Sequence, residues 1–181
     1  MSRWHRLSTR LYGPYTSLLS WIGHERIAVG NLPTGSTLPR LPAEGVTHVV
    51  NCRSVPQTWI SGDLAAERAL FGGARVAHAP MVDLGRPQPP ALWSAAALFA
   101  VQVLADDPDA GVLIHCQQGR RRSAMVAYAV LRRRGHAPEQ AAALVTRHRA
   151  EAELVAAYTD SVERWLAAGA PPVGPLRLGH S

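Results

Sequence analysis

Residues 112–123 read Val112-Leu113-Ile114-His115-Cys116-Gln117-Gln118-Gly119-Arg120-Arg121-Arg122-Ser123. The apolar run Val112–Ile114 has no polar alternation and predicts a strand buried on both faces. Residues Ser123 to Arg134 predict a helix, with Gly135 as its terminating residue. A buried strand that ends in a loop and turns directly into a helix is an anion site. Loop amides and the N–H groups of the helix start converge there. Gly119 lets the loop backbone curl without a Cβ clash. Cys116 opens the loop, where amides, helix dipole and Arg122 all favour its thiolate. Such settings bring a cysteine from ~8.5 into the range ~3.5–7.5. Arg122 lies six residues further on, so a curled loop returns its guanidinium over a bound phosphate. That planar fork holds two phosphoryl oxygens at once. Ser123 opens the helix and offers a hydroxyl to the sulfur as it departs. A lone cysteine is by default a buried structural residue; the groups gathered around Cys116 argue for chemistry instead.

Working outward, Ile27-Ala28-Val29 before Gly30 predicts a first strand, Val46 to Asn51 a second and Arg75 to Ala79 a third. Helices are expected over Leu64–Phe71, Ala91–Ala105, Pro138–His148 and Glu151–Ala168. Strands alternating with helices, then a helical cluster, predict an α/β fold. Its centre is a mainly parallel twisted sheet flanked by helices, with the helical cluster C-terminal. Residues 25–168 are read as the catalytic domain, 1–24 as an N-terminal arm and 169–181 as a flexible tail. The tail from Ala170 is rich in proline and glycine and is expected to fray.

The 181 residues are 47% hydrophobic and 18% charged, which excludes wholesale disorder. Two cysteines, Cys52 and Cys116, are too few for a disulfide-stapled scaffold. No apolar run approaches the ~20 residues of a membrane-spanning helix. Net charge is +6, and all nineteen basic residues are Arg. That bias, with abundant Ala, Gly and Pro, looks like coding pressure, so nucleic acid is not expected as a partner. In the arm, Arg3, Arg6 and Arg10 alternate with Trp4, Leu7, Leu11 and Tyr12. This segment either packs on the domain or touches a membrane surface. The first two dozen residues do not read as a strand, and no signal peptide is expected.

A thiolate attacking a phosphate monoester needs an acid for the leaving oxygen. Asp106, Asp107 and Asp109 enter the buried strand at its wrong end. Asp63 precedes a helix and reads as an N-cap. Asp83 lies in a Pro-flanked loop after a strand, 33 residues before Cys116; its plainer role is to cap a turn. Arg132-Arg133-Arg134 closes a helix, where cations suit the dipole. Arg120 and Arg121 sit within the loop itself, either as a solvated rim or as recognition of charge beyond one phosphate. His115 has no neighbour at metal-ligand spacing.

His115 to Ser123 matches H-C-x-x-G-x-x-R-S, and so resembles the cysteine-based protein tyrosine phosphatases, in particular their small dual-specificity branch. The resemblance extends over residues 25–168. It includes Arg26-Ile27-Ala28-Val29-Gly30-Asn31-Leu32-Pro33, Pro80-x-x-Asp83 and the Arg134–Ala141 run. Gln118 and Arg121 depart from the family's usual small residues and alter the pocket rim. The resemblance implies a dual-specificity-phosphatase-like fold and a phosphocysteine intermediate. It makes Cys116 the nucleophile, Arg122 the phosphate ligand and Asp83 the acid and then base. Substrate is bound by Gln117, Gln118, Gly119, Arg120 and Arg121, supported by Ser123 and by His115 as an orienting residue. No cofactor or metal is implied. Cys52 is either a small core residue or a resolving cysteine for oxidised Cys116, as in some family members.

The low-molecular-weight phosphatases also use Cys-x5-Arg, but with the opposite order of loop and acid. Rhodanese-like sulfur transfer has no need of Asp83. The expected substrate is a phosphotyrosine- and phosphoserine/threonine-bearing protein. A phosphoinositide or phosphatidylglycerophosphate lipid is the alternative, and an RNA 5′-phosphate or a binding-only pseudoenzyme stands behind both. The expected location is cytoplasmic, with peripheral membrane attachment as an option.

Overall fold

The computed structural model describes residues 18–179. Its strands are β1 (Leu19–Trp21), β2 (Ile27–Gly30), β3 (His48–Asn51), β4 (Val76–His78) and β5 (Val112–His115). They form one sheet in the order β1-β2-β5-β3-β4. Only β1 runs antiparallel; β2, β5, β3 and β4 are parallel. The uninterrupted apolar run of β5 fits its place at the centre, where all four residues are buried. Leu113 faces one side, with Ala28, Leu41, Val49 and Val76. Val112 and Ile114 face the other, against the larger core.

The smaller face is covered by α2 (Asp63–Phe71), which follows the short α1 (Val55–Ser61). The larger face carries α3 (Ser94–Asp106), α4 (Arg122–Arg133), α5 (Pro138–His148) and α6 (Ala156–Ala167). Helix α4 is buried from Arg122 to Leu131 and packs against α3, α5 and α6. It grips the sheet immediately after the Cys116 loop, so the loop is anchored at both ends. In the same core, Trp93 and Trp165 meet edge to face at 5.1 Å.

The mainly parallel sheet and C-terminal helical cluster agree with expectation; several boundaries do not. Leu19–Trp21, assigned to the arm, form the antiparallel edge strand β1. The run is too short to signal a strand, and pairing with β2 supplies the missing stabilisation. Helix α1 was not anticipated. The Ala91 helix instead begins at Ser94, after a 3-10 turn over Pro90–Leu92. Helix α6 starts at Ala156 rather than Glu151 because the preceding residues run back along the Cys116 loop. Nor does the tail fray over its described residues. Trp165 Nε1 donates to the Pro171 carbonyl at 2.8 Å, and His78 N–H to the Arg177 carbonyl at 3.1 Å. Leu178 bridges Ala77, so the tail covers the open edge of β4. The Arg3–Tyr12 pattern lies outside the described residues.

Candidate active site

Strand β5 delivers Cys116 to the C-terminal edge of the sheet, and α4 begins six residues later at Arg122. Four successive carbonyls between them are each taken by a donor from outside the loop. Leu32 N–H reaches Gln117 O at 3.3 Å and Glu153 N–H reaches Arg120 O at 2.9 Å. Arg149 donates to Gln118 O and Gly119 O, both at 3.3 Å. With its carbonyls held outward, the loop turns its amides inward, as a phosphate cradle requires. Gly119 has φ +65°, and a Cβ there would lie 2.5 Å from the Gly30 carbonyl. Any side chain would therefore expel the loop from β2.

The Cys116 sulfur sits at the floor of this cradle, 3.3 Å from Ser123 Oγ. Burial pushes the thiol up. The Arg122 charge, the Ser123 hydroxyl and the N–H groups of Ser123 and Arg120 outweigh it, bringing the thiol down to about 7. Arg122 is itself buried. Its NH1 donates to Gln57 Oε1 at 2.8 Å, Met81 O at 3.0 Å and Cys52 O at 3.3 Å. Its Nε is buried without a protein acceptor among the described residues. One edge of the guanidinium is thus locked to the protein, while a donor remains for an anion. Gln57, unremarked in the sequence, serves twice: the same Oε1 accepts from Ser54 N–H at the start of α1.

Behind the loop lies a buried polar network that has no signature in the sequence. His115 Nε2 is 2.8 Å from Glu67 Oε1. Asn51 Nδ2 donates to Glu67 Oε2 at 3.0 Å and to Asp63 Oδ2 at 2.8 Å. Arg53 closes the chain, 2.5 Å from Asp63. Burial alone would lower His115, but Glu67 beside it raises it above the ordinary histidine value. Burial would likewise raise Asp63, and Arg53, Ser61 and Asn51 together hold it below the carboxylate range. Asp63 is therefore no N-cap, a place occupied by Gly62; it is half of an ion pair. His115 is held from behind by Glu67. Glu67 looks in sequence like any solvated helix residue, and only the packing of α2 on the sheet buries it.

Asp83 follows Met81, whose carbonyl accepts from Arg122, by two residues, and its Oδ1 lies 4.0 Å from Arg121 NH1. The Tyr158 hydroxyl donates to Asp83 Oδ1 at 2.8 Å and accepts from Gly85 N–H at 3.1 Å. Helix α6 thereby fixes the position of the carboxylate, a contact across 75 residues. Arg120 and Arg121 are partly exposed at the rim, as expected, but not as free cations. Arg121 clamps Glu153 with two bonds of 3.0 and 3.1 Å, and Arg120 reaches the same carboxylate at 3.0 Å. Glu153 has no signature in the sequence, because its segment is extended and precedes the start of α6 at Ala156. Cys52 is fully buried, and burial, reinforced by Cys116, pushes its thiol up. The register pairs Asn51 with His115, and Cys52 N–H donates to His115 O at 2.8 Å. Cys52 thus stands beside Cys116, one step beyond the ladder.

No protein-family model matches the chain, and no curated protein does. Solved structures do. PTPMT1 in complex with PI(5)P superposes with a TM-score of 0.71 at 21% identity, over 86% of this chain and 100% of that one. The human tyrosine phosphatase-like serine/threonine/tyrosine-interacting protein gives 0.69 at 20% identity, over 84% and 98% of the two chains. Human DUSP28 gives 0.63 at 22% identity, over 87% and 99%. With its mainly parallel sheet, its Cys116 loop and these likenesses together, the chain has the fold of the dual-specificity branch of the cysteine-based phosphatases.

Proposed function

We propose that the chain hydrolyses phosphate monoesters through a phosphocysteine intermediate. The observation that carries this reading is the pairing of a buried thiol held near 7 with an immobilised arginine whose Nε lacks a protein acceptor among the described residues. Cys116 Sγ attacks phosphorus while the ester P–O bond breaks, and the Asp83 carboxyl passes its proton to the leaving oxygen. Arg122 and the loop amides from Gln117 to Arg122 bind the phosphoryl oxygens as charge shifts among them. In the second step the Asp83 carboxylate takes a proton from water as that water attacks phosphorus. The S–P bond breaks, phosphate leaves, and the Ser123 hydroxyl hydrogen-bonds the departing thiolate.

The dual-specificity reading makes the substrate a phosphoprotein. The likeness to PTPMT1, crystallised with PI(5)P, supports a second reading, a phosphorylated lipid. Cys116→Ser is the decisive variant. It should lose p-nitrophenyl phosphate turnover while still binding tungstate, because a serine hydroxyl stays protonated but the cradle survives. Turnover within tenfold of wild type would refute the mechanism; a panel of phosphopeptide, phosphoinositide and 5′-phosphorylated RNA then assigns the substrate.

A further inference from the structure

Helix α1 is inside out. Its polar residues Gln57, Thr58 and Ser61 turn towards the protein, where Gln57 holds Arg122. Its outward residues are Val55, Pro56, Trp59 and Ile60, all apolar and all exposed. Trp59 is 83% exposed and Ile60 59%. A surface helix ordinarily shows the reverse pattern. The second element that holds Arg122, the loop after Met81, repeats the feature: Val82 and Leu84 are exposed on either side of Asp83. Five of the seven large exposed hydrophobics among the described residues therefore come from the two segments gripping the same Arg122 nitrogen. Exposed apolar side chains concentrated at a site mouth mark an interaction surface.

Charge identifies the occupant. Residues 55–62 carry no charge, and in 82–90 the only acid is Asp83, held by Tyr158. Leu18, preceded by residues 1–17, lies at the same end of the sheet as the catalytic loop. Leu18 O accepts Asn31 N–H at 3.0 Å, and the next residue, Leu32, bonds Gln117 O. That preceding stretch, residues 1–17, contains Arg3, Arg6 and Arg10 with Trp4, Leu7 and Leu11, and no acid. One end of the molecule thus gathers the site mouth, uncovered apolar side chains and the attachment point of a basic, aromatic segment. The apolar residues project from a two-turn helix, a shape suited to insertion. Tryptophan favours the headgroup level of a bilayer, and arginines favour anionic lipid.

We propose that α1 and the Val82–Leu84 loop dock the mouth of the site onto an anionic phospholipid bilayer, with Trp59 and Ile60 entering the headgroup region. The phosphate reached there would be that of a membrane lipid, a consequence resting on the phosphatase reading; the docking itself does not.

The test uses the full chain and vesicles of phosphatidylcholine with or without phosphatidylglycerol. Wild type should sediment with the mixed vesicles and only weakly with phosphatidylcholine alone. Trp59→Ala with Ile60→Ser should weaken that binding by about tenfold or more. Its kcat/KM on p-nitrophenyl phosphate should stay within twofold, which also reports an intact fold. Absence of wild-type binding, or equal binding by the double variant, overturns the proposal. So does binding that depends only on Arg3, Arg6 and Arg10. A loss confined to phosphopeptide substrates, with vesicle binding unchanged, would make the face a protein-docking surface and also overturn it. If wild type fails to turn over p-nitrophenyl phosphate, the phosphatase reading falls. A matched thermal melt then stands in as the fold control, and the vesicle result decides docking separately.

Discussion

Ser123→Ala removes the hydroxyl 3.3 Å from the Cys116 sulfur and leaves Arg122 and the loop amides in place. A hydrogen bond to a charged group contributes about 1.5–3 kcal/mol, and one pKa unit corresponds to about 1.4 kcal/mol. Losing this bond should raise the thiol by about one to two units, starting from about 7. At pH 6 the thiolate fraction would fall from about a tenth to between about a hundredth and a thousandth. The assay is iodoacetate alkylation of the Cys116 peptide across pH, read by mass spectrometry. Cys52 is fully buried with its thiol pushed up, so it should stay unmodified. A more basic thiolate is also intrinsically more nucleophilic; the high-pH plateau will therefore rise, and the midpoint is the quantity to compare. A wild-type midpoint at the ordinary ~8.5 of a free cysteine, or an unmoved midpoint in Ser123→Ala, would refute the electrostatic account of the loop. The same variant should accumulate phosphocysteine, because the sulfur leaves without its hydrogen-bond donor.

Asp83→Asn should lower kcat by ~10²–10⁴ on alkyl phosphates and less on p-nitrophenyl phosphate, whose leaving group hardly needs a proton. Tyr158→Phe frees the Asp83 carboxylate from its 2.8 Å bond and should cost about tenfold in kcat, with little change in KM. Glu67→Gln should destabilise the fold by about 3–5 kcal/mol, as broken buried pairs do. Because Glu67 raises His115, the pair's contribution is full below the unfolded histidine value of ~6.5 and fades as pH rises through the higher folded value. Urea melts should therefore show a larger deficit at acid pH than at alkaline pH. Peroxide should inactivate the enzyme through the Cys116 thiolate. Parallel neighbours in register lie about 4.8 Å apart, within the ~4.4–6.8 Å span of a disulfide, so Cys52 should capture oxidised Cys116. Thiols should then restore activity in wild type but not in Cys52→Ala, and equal recovery would return Cys52 to a purely packing role.

What was legible in the sequence is what local chemistry dictates. The Val112–Ile114 run, the Gly119 curl and the spacing of Cys116, Arg122 and Ser123 make a strand, an anion loop and a helix wherever they occur. From them came the central strand and the candidate site; Asp83, the proposed acid, came from the resemblance to the phosphatase family. Packing decided the rest. Leu19–Trp21 are a strand only because β2 lies beside them. Glu67 and Asp63 are buried partners of His115 and Arg53 only because α2 covers that face of the sheet. Arg149, just past the end of α5, braces the loop, and Tyr158 in α6 positions Asp83, both from far along the chain. Arg120 and Arg121, read in the sequence as a solvated rim or as recognition of further charge, share the carboxylate of Glu153. The outward apolar face of α1 was invisible for the same reason. A seven-residue segment has no periodicity long enough to announce which side the fold will bury. Sequence carries the preferences of neighbouring residues, whereas burial and pairing between distant ones exist only once the chain has closed on itself.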